Sequence, residues 1–472
     1  MRILELLAKA SRYIPEVQRP IRKVPFKEKL FWTGLILCLY YVLCEIPMIG
    51  IPKTVQADWL APLRFILAGN SGTLMELGIG PIVTAGIIME LLVGANIVKL
   101  DLSDPEDRKI FNGAQRTLAI IMILFESSML VLGGRYGRVG VDISYNLAGL
   151  LIGQLVLGCF LVLLMDEVVS KWGLGSGISL FIAAGVSQRI IWQSFSPLRT
   201  KDGVLIGAIP AFIESGGRAW YRGFMPDMIG FIATIVVFLI VIAVQSIRVE
   251  IPLAFARVGG ARSKYPVSLL YVSNVPIIFA AALFADVVMV AEIMWMRFSE
   301  ADNPMLKWLV NLLGTFNVTR GGAVRATGGL AYFMSPPRGL LAVSADPIRA
   351  VVYMALMVLA CILFAVLWVE LAGMHPGAVA KQLATSGVSV PGFRGSPRII
   401  AHVLEPYISS VTILGGAIVG VIAALADFMG ALGTGSGVLL TVMIIYNYYQ
   451  LIMAERIEEE YAFVRKLLKG AR

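Results

Sequence analysis

Ten stretches of this chain are each long and apolar enough to cross a lipid bilayer, and that excludes most folds. A bilayer core takes roughly 20 mostly apolar helical residues. Such stretches lie at about 30–49, 76–97, 113–133, 146–168, 176–196, 227–247, 267–290, 347–368, 407–426 and 434–453. Lipid offers the backbone no hydrogen-bond partner, so each must satisfy itself as a helix. Composition agrees, with 58% of the 472 residues hydrophobic and 15% charged, against about 25% charged in a soluble domain. The expected fold is an all-α polytopic membrane protein with ten transmembrane helices.

Loop charge orients the spans. With the N-terminus cytoplasmic, 25 of the 40 Lys and Arg residues fall on the inner side. Much of the remainder lies in long outer segments near 197–226 and 291–346. Both termini are then cytoplasmic. The formal charge of +9 fits anionic lipid headgroups, a ribosome or another nucleic acid, and charge alone does not choose among them. The stretch Arg2–Pro15 places Ile3, Leu6, Leu7 and Ala10 on one helical face with Arg2, Lys9 and Arg12 nearby, so it is expected at the cytoplasmic interface. Charges continue up to Lys29 before the first span, which is itself long enough to cross, so no cleavable signal peptide is read.

Residues 56–68, QADWLAPLRFILA, are apolar but too short to span. They read either as a re-entrant helix held inside the protein or as an interfacial loop helix. The four cysteines, Cys38, Cys44, Cys159 and Cys361, sit in apolar runs with no CxxC and read as buried free thiols. His375 and His402 lie far from any cysteine pair, so neither a zinc site nor another metal or cofactor is expected.

Two helix starts match. Gly173-Leu-Gly-Ser-Gly177 opens the fifth span and Gly433-Thr-Gly-Ser-Gly437 the tenth, 260 positions apart. Five spans per half is an odd number, so the halves, 1–220 and 221–472, have inverted topology, and inverted repeats place a shared pathway at their interface. Glycines also permit close helix packing. Neither copy carries the lysine or the preceding strand of a phosphate loop. No His or Lys in another span could activate Ser176 or Ser436 as a nucleophile. No catalytic residue is assigned, and the chain is read as a non-enzyme.

The segment GTLMELGIGPIVTAGIIM at 72–89 resembles a signature of the SecY family, archaeal and eukaryotic branch. So do Tyr265-Pro266 with YVSNVPII at 271–278, and Ala426-Asp427-Phe428 leading into the second glycine motif. The likeness runs from the N-terminal helix to the tail, and its closest flavour is archaeal. It implies a passive protein-conducting channel that passes secretory chains across the membrane and releases apolar segments sideways into lipid. Its waist would be a ring of Ile79, Val83, Ile178, Ile182, Ile278 and Leu440, with Leu439 adjacent to the last. Ile79/Val83 and Ile178/Ile182 are i,i+4 pairs, each sharing one helix face, and a ring of branched aliphatics can dewet and block ions.

The resemblance makes 56–68 a plug, with Trp59, Leu60, Leu63, Phe65 and Ile66 as its apolar body and Asn70, Gly72 and Gly78 as flexible flanks. It implies a lateral gate between spans 2–3 and 7–8, with a polar cluster of Thr84, Glu126 and Asp286. Position 286 is often Asn in the family. Two carboxylates in one apolar seam do not both ionise cheaply, so at least one is expected to be protonated when the gate is closed. Glu90 departs from the usual Gln, and its facing is left open. Ribosome contact would come from Arg248, Arg257, Arg262 and Lys264 in loop 6/7 and from Lys381, Arg394 and Arg398 in loop 8/9. Small SecE-like and SecG/β-like membrane subunits, nascent chains, signal sequences and anionic lipids complete the implied partners, with no DNA. The implied location is the plasma membrane, with the endoplasmic reticulum membrane as the alternative. An inverted-repeat secondary transporter, with Glu126 and Asp286 as a proton relay, is the rival reading, and a structural scaffold is a third.

Overall fold

The structure is a computed structural model that describes residues 2–51, 72–94, 97–98, 100, 104–133, 136, 144–200, 203–222, 225–255, 261–272, 274–299, 303–318, 324–385, 388–389 and 396–470. Helices occupy all ten predicted spans: α2 (Phe26–Glu45), α3 (Gly80–Gly94), α4 (Pro105–Leu132), α5 (Tyr145–Trp172), α6 (Gly177–Phe195), α8 (Met228–Ser246), α9 (Val275–Phe298), α13 (Pro347–Leu371), α15 (Pro397–Phe428) and α16 (Gly435–Gly470). Among the described residues, seven of these meet length and hydropathy requirements for crossing a membrane, α2, α3 and α6 being the others. The remaining helices are α1 (Arg2–Ala10), α7 (Ala208–Ser215), α10 (Pro304–Leu313), α11 (Gly329–Met334), α12 (Leu340–Ala345) and α14 (Pro376–Thr385).

Several starts are written in capping chemistry. Asp104 accepts from Glu106 N ahead of Pro105, Asp227 from Gly230 N, and Asp346 from Arg349 N ahead of Pro347. Each satisfies an N–H that a helix start leaves bare, and proline at the first position has no N–H to lose.

The boundaries differ from expectation where glycine and strand pairing intervene. The second span starts at Gly80 and not near 76, because the chain turns through Gly72 and Gly78 at positive φ. The seventh starts at Val275, because the residues read as its beginning pair as a strand. Strands β1 (Arg248–Phe255) and β2 (Ala261–Ser268) form an antiparallel hairpin, and β5 (Val388–Ser389) joins β1 to give a three-stranded sheet ordered β2-β1-β5. A second hairpin, β3 (Thr315–Val318) with β4 (Val324–Gly328), lies between α10 and α11. The membrane-crossing body is helical as expected, and these sheets are additions that hydropathy does not signal.

One central apolar cluster draws on both halves of the chain, from Ile36, Ile79 and Phe181 to Ile277, Phe428 and Leu440. A separate cluster lies beneath the three-stranded sheet, where Ile251 and Val267 meet Ile400, Leu404 and Ile408 of α15. Helices α13 and α15 press together at small residues. A Cβ on Gly420 would sit 2.7 Å from Val358 Cα, and one on Gly416 3.0 Å from the Cys361 carbonyl oxygen. This is the close backbone approach by which helices pack in lipid.

One expectation is extended and another needs correction. The face of α1 that packs on α4 runs through Leu4, which is buried, and Leu7, which is half-buried, leaving Leu6, 68% exposed, free for the expected interface. Gly113 of α4 admits this contact, since a Cβ there would meet Ala8 and Ser11, and the Thr117 hydroxyl donates to the Leu7 carbonyl oxygen at 2.8 Å. Of the four free cysteines, Cys38 is exposed and only Cys44, Cys159 and Cys361 are buried, because Cys38 falls on the outward face of α2.

Candidate functional site

The two glycine-rich starts clasp each other. Gly175 and Gly433 take positive φ (69° and 79°), and so does Thr434 (102°), which lets the chain reverse sharply into α6 and α16. Helices α6 and α16 pack together. The Tyr448 hydroxyl of α16 donates to the Ser176 carbonyl oxygen at the start of α6, at 2.8 Å. In return, Gln193 near the end of α6 accepts from Gly433 N at the start of α16, also at 2.8 Å. Each start is also capped by an aspartate from the preceding span. Asp166 Oδ1 accepts from Ile178 N at 2.9 Å, and Asp427 Oδ1 from Gly435 N at 2.8 Å, with Asp427 Oδ2 taking the Tyr353 hydroxyl at 3.1 Å. Sequence reasoning assigned no role to Asp166, Gln193, Tyr353 or Tyr448. Its available signal was a carboxylate in an apolar run six or seven residues before each glycine motif.

These clasps set the phase of the helices that carry the predicted ring. Ile79, Val83, Ile182, Ile278 and Leu440 are all buried in the central cluster, and Ile178 packs against it half-buried. Four helices, α3, α6, α9 and α16, thus deliver the six side chains to one apolar centre. Leu439 is buried there as well, so burial does not separate it from Leu440.

The predicted polar cluster also comes together. The Thr84 hydroxyl of α3 donates to Asp286 Oδ2 of α9 at 3.0 Å. Glu126 of α4 reaches the same hydroxyl and lies within electrostatic range of Asp286. Its Oε1 is buried without a hydrogen-bond partner among the described residues. The C-terminal end of α3 lies against α13, where a Cβ on Gly94 would meet Leu367. Spans 2, 3, 7 and 8 therefore adjoin along one seam. Glu90 is half-buried on α3, two turns beyond Val83 and one turn before Gly94, so it lies on the face that carries both.

The basic residues divide. Arg248, Lys381 and Arg398 are exposed. Arg262 and Lys264 occupy β2 opposite Ala254 and Pro252. Arg257 and Arg394 lie outside the described residues, as do all five plug residues, Trp59, Leu60, Leu63, Phe65 and Ile66. The β1–β5 pairing unites the 6/7 and 8/9 connections in one sheet, a junction that sequence did not reveal.

A bundle of apolar spans around a shared aliphatic centre defines a multi-pass α-helical membrane protein. Comparison with known proteins specifies it further. The SecY family model matches residues 73–449, and a model described as the plug domain of Sec61p matches residues 39–72. The chain is 46% identical to the protein translocase subunit SecY of Pyrococcus horikoshii, covering 98% of each. It is 42% identical to that of Methanocaldococcus jannaschii, covering 96% of this chain and 97% of the other. A solved structure of a protein-conducting channel superposes with a TM-score of 0.79 at 40% identity, covering 95% of this chain and 97% of that one. Sec61 in a canine ribosome–channel complex from the endoplasmic reticulum gives 0.76 at 40% identity, with the same coverage. The chain belongs to the SecY family.

Proposed function

We propose that the chain is the central subunit of a protein-conducting channel, with Ile79, Val83, Ile178, Ile182, Ile278 and Leu440 as its constriction. The observation that carries this reading is the convergence of those six side chains from both halves, 1–220 and 221–472, on one apolar centre. A soft aliphatic collar deforms around any side chain of a passing polypeptide and dewets when empty. The segment at 56–68 is the plug that seats beneath the collar on the outer side, consistent with the plug-domain match.

The Thr84–Asp286–Glu126 cluster closes the lateral gate. A signal segment enters by replacing this seam with its own apolar surface, at roughly 25 cal/mol per Å² buried. Segments then sort by partition, a central Leu or Ile gaining about 0.3–0.6 kcal/mol and a central Asp, Lys or Arg costing about 2.5–3.5 kcal/mol. An aliphatic waist suits this task better than ion-coupled transport, which places polar ligands near the midplane.

Ribosomes dock on the basic surface formed by the 6/7 and 8/9 connections, with Arg248, Arg257, Arg262, Lys264, Arg394 and Arg398 facing rRNA phosphates. The joining of the two connections in one sheet supports a single docking surface. Small SecE-like and SecG/β-like subunits complete the assembly. Both termini face the cytoplasm, and the archaeal relatives support the cell membrane as the location.

The test is site-specific crosslinking from Val83 and Leu440 to a stalled, ribosome-bound secretory chain in reconstituted membranes. Crosslinks from both positions, lost when the signal segment is made polar, are the expected result. Absence of both while the ribosome stays docked removes the collar assignment.

A further inference from the structure

Helix α10 divides into three sectors. Its residues advance about 100° each, which places Leu306, Val310 and Leu313 together, Asn303, Lys307 and Asn311 together, and Met305, Trp308, Leu309 and Leu312 together, the sectors centred roughly 90–150° apart. The first sector is the packing face. Val310 is buried, Leu306 and Leu313 are half-buried, and α10 rests on α9, α11 and β3. The other two sectors are both exposed, yet one is wholly polar and the other wholly apolar. Met305 is 79% exposed, Trp308 63%, Leu312 53% and Leu309 37%.

A helix with water on both free faces has no reason to sort its side chains this way. We propose that α10 lies in the membrane–water interface, with Met305, Trp308, Leu309 and Leu312 buried in the outer acyl region and Asn303, Lys307 and Asn311 turned to the headgroups and water. The occupant of this apolar face is the lipid surface itself. Continuity with a membrane-crossing helix supports that choice over a protein partner. Helix α9 has 24 residues and so extends about 36 Å, past a hydrocarbon core about 30 Å thick. Its last residue, Phe298, is exposed, and α10 begins six positions later, within reach of the interface. Tryptophan beside lysine is the pairing that interfaces favour.

The anchoring is rigid. Asn303 caps α10 by accepting from Met305 N at 3.1 Å. At the other end Gly314 leads directly into β3, whose Phe316 ring lies 5.8 Å from that of Trp295 in α9. Docking of α10 on lipid would therefore fix the depth and tilt of α9, the helix that carries Asp286. The proposal requires only that the chain spans a membrane and does not depend on the channel assignment.

Single cysteines at 305, 308, 312, 307 and 311, in a Cys38→Ser background, can each carry a nitroxide label. The full chain, purified with its bound subunits, is reconstituted in liposomes of phosphatidylcholine with a minority of phosphatidylglycerol. Collision rates are then read with oxygen, which concentrates in lipid, and with a water-soluble nickel chelate. The expected result is high oxygen and low nickel accessibility at 305, 308 and 312, and the reverse at 307 and 311. High nickel accessibility at all five positions places the face in water and overturns the proposal. Low accessibility to both reagents at 305, 308 and 312 also overturns it, because a protein partner then covers the face.

Discussion

The Tyr448 hydroxyl donates to the Ser176 carbonyl oxygen at 2.8 Å, so the middle of the last span holds the start of the fifth. The reciprocal bond from Gly433 N to Gln193 makes the two glycine-rich starts a mutual clasp across the halves. The clasp fixes the rotation of α6 and α16, and with it where Ile178, Ile182 and Leu440 point. Tyr448→Phe keeps the ring and removes only the donor. It is expected to lower stability by about 0.5–1.5 kcal/mol, read as a lower thermal midpoint of the reconstituted protein. Adding Gln193→Leu should lower it further, by an amount near the sum if the two ends act independently.

Asp427 holds a larger share of the same geometry. Its two oxygens take Gly435 N and the Tyr353 hydroxyl, all within buried structure. Asp427→Leu strands both donors, at about 1–3 kcal/mol for each group left unpaired. Asp427→Asn retains one acceptor oxygen and should lose about half as much. A thermal series of Asp427→Leu, Asp427→Asn and Tyr353→Phe should rank in that order, and equal losses for all three would contradict the assigned bonds.

What the sequence made legible, and what it hid, follows from range. Hydropathy located the spans because lipid imposes the same demand on every crossing segment. The six residues proposed as the collar came from local motifs set beside a known family, not from periodicity, which sees only ten apolar helices. The β1–β2 hairpin escaped because Pro252 and Pro266 break its alternation and Val267–Leu270 prolongs an apolar run into the next span. Strand β5 has two residues, too few to carry any pattern. The Tyr448–Ser176 bond joins positions 272 apart, and a single tyrosine on a helix announces no partner at that distance. The contact of Leu4 with α4 was not legible because which side of an amphipathic helix faces protein depends on its neighbour, here the opening at Gly113.

The Thr84–Asp286 bond crosses the seam between α3 and α9. Thr84→Val removes the donor at nearly constant volume, and Asp286→Leu removes the acceptor. A double-mutant cycle should return a coupling of about 0.5–3 kcal/mol. Functionally, either change should let secretory reporters with shortened apolar signal segments pass more efficiently, since less polar bonding must be displaced on entry. Asp286→Asn still offers Thr84 an oxygen and should fall between Asp286→Leu and the parent in the same export assay.

The N-terminal segment is tied to α4 and α5 by charge. Lys171 Nζ lies 2.6 Å from Glu16 and 3.2 Å from Glu167, and Arg116 lies 3.3 Å from Glu16 and 2.7 Å from Glu167. The hydrogen bond from Lys171, aided by the charges of Lys171, Arg116 and Arg19, holds the Glu16 carboxyl below its ordinary value of 4.5. A depressed folded value means that the tie contributes fully above the unfolded value and is lost as pH falls through the folded one. The protection of Val17 and its neighbours, taken relative to the intrinsic exchange rate at each pH, should therefore be steady above about pH 5 and fall on acidification below 4.5. Glu16→Gln should lower that protection at neutral pH and flatten the acid response. An unchanged profile in that variant would overturn the assignment of the acid effect to Glu16.

The proposed ribosome docking on the three-stranded sheet carries a salt signature that ordinary loop charge lacks. Arg248 and Arg398 are exposed, one entering the sheet and the other beginning α15. If each meets an rRNA phosphate, binding releases counterions, and the log–log dependence of affinity on salt loses about 0.7–0.9 in slope for every contact removed. Arg248→Glu and Arg398→Glu should each weaken cosedimentation of the reconstituted channel with ribosomes at low salt, and the deficit should shrink as salt rises. Glu405, exposed and paired with His402 on α15, provides the control: Glu405→Lys changes charge on the same helix farther from its start, and it should leave the slope unaltered. Equal effects from all three substitutions would mean that net charge, and not a specific phosphate contact, governs binding.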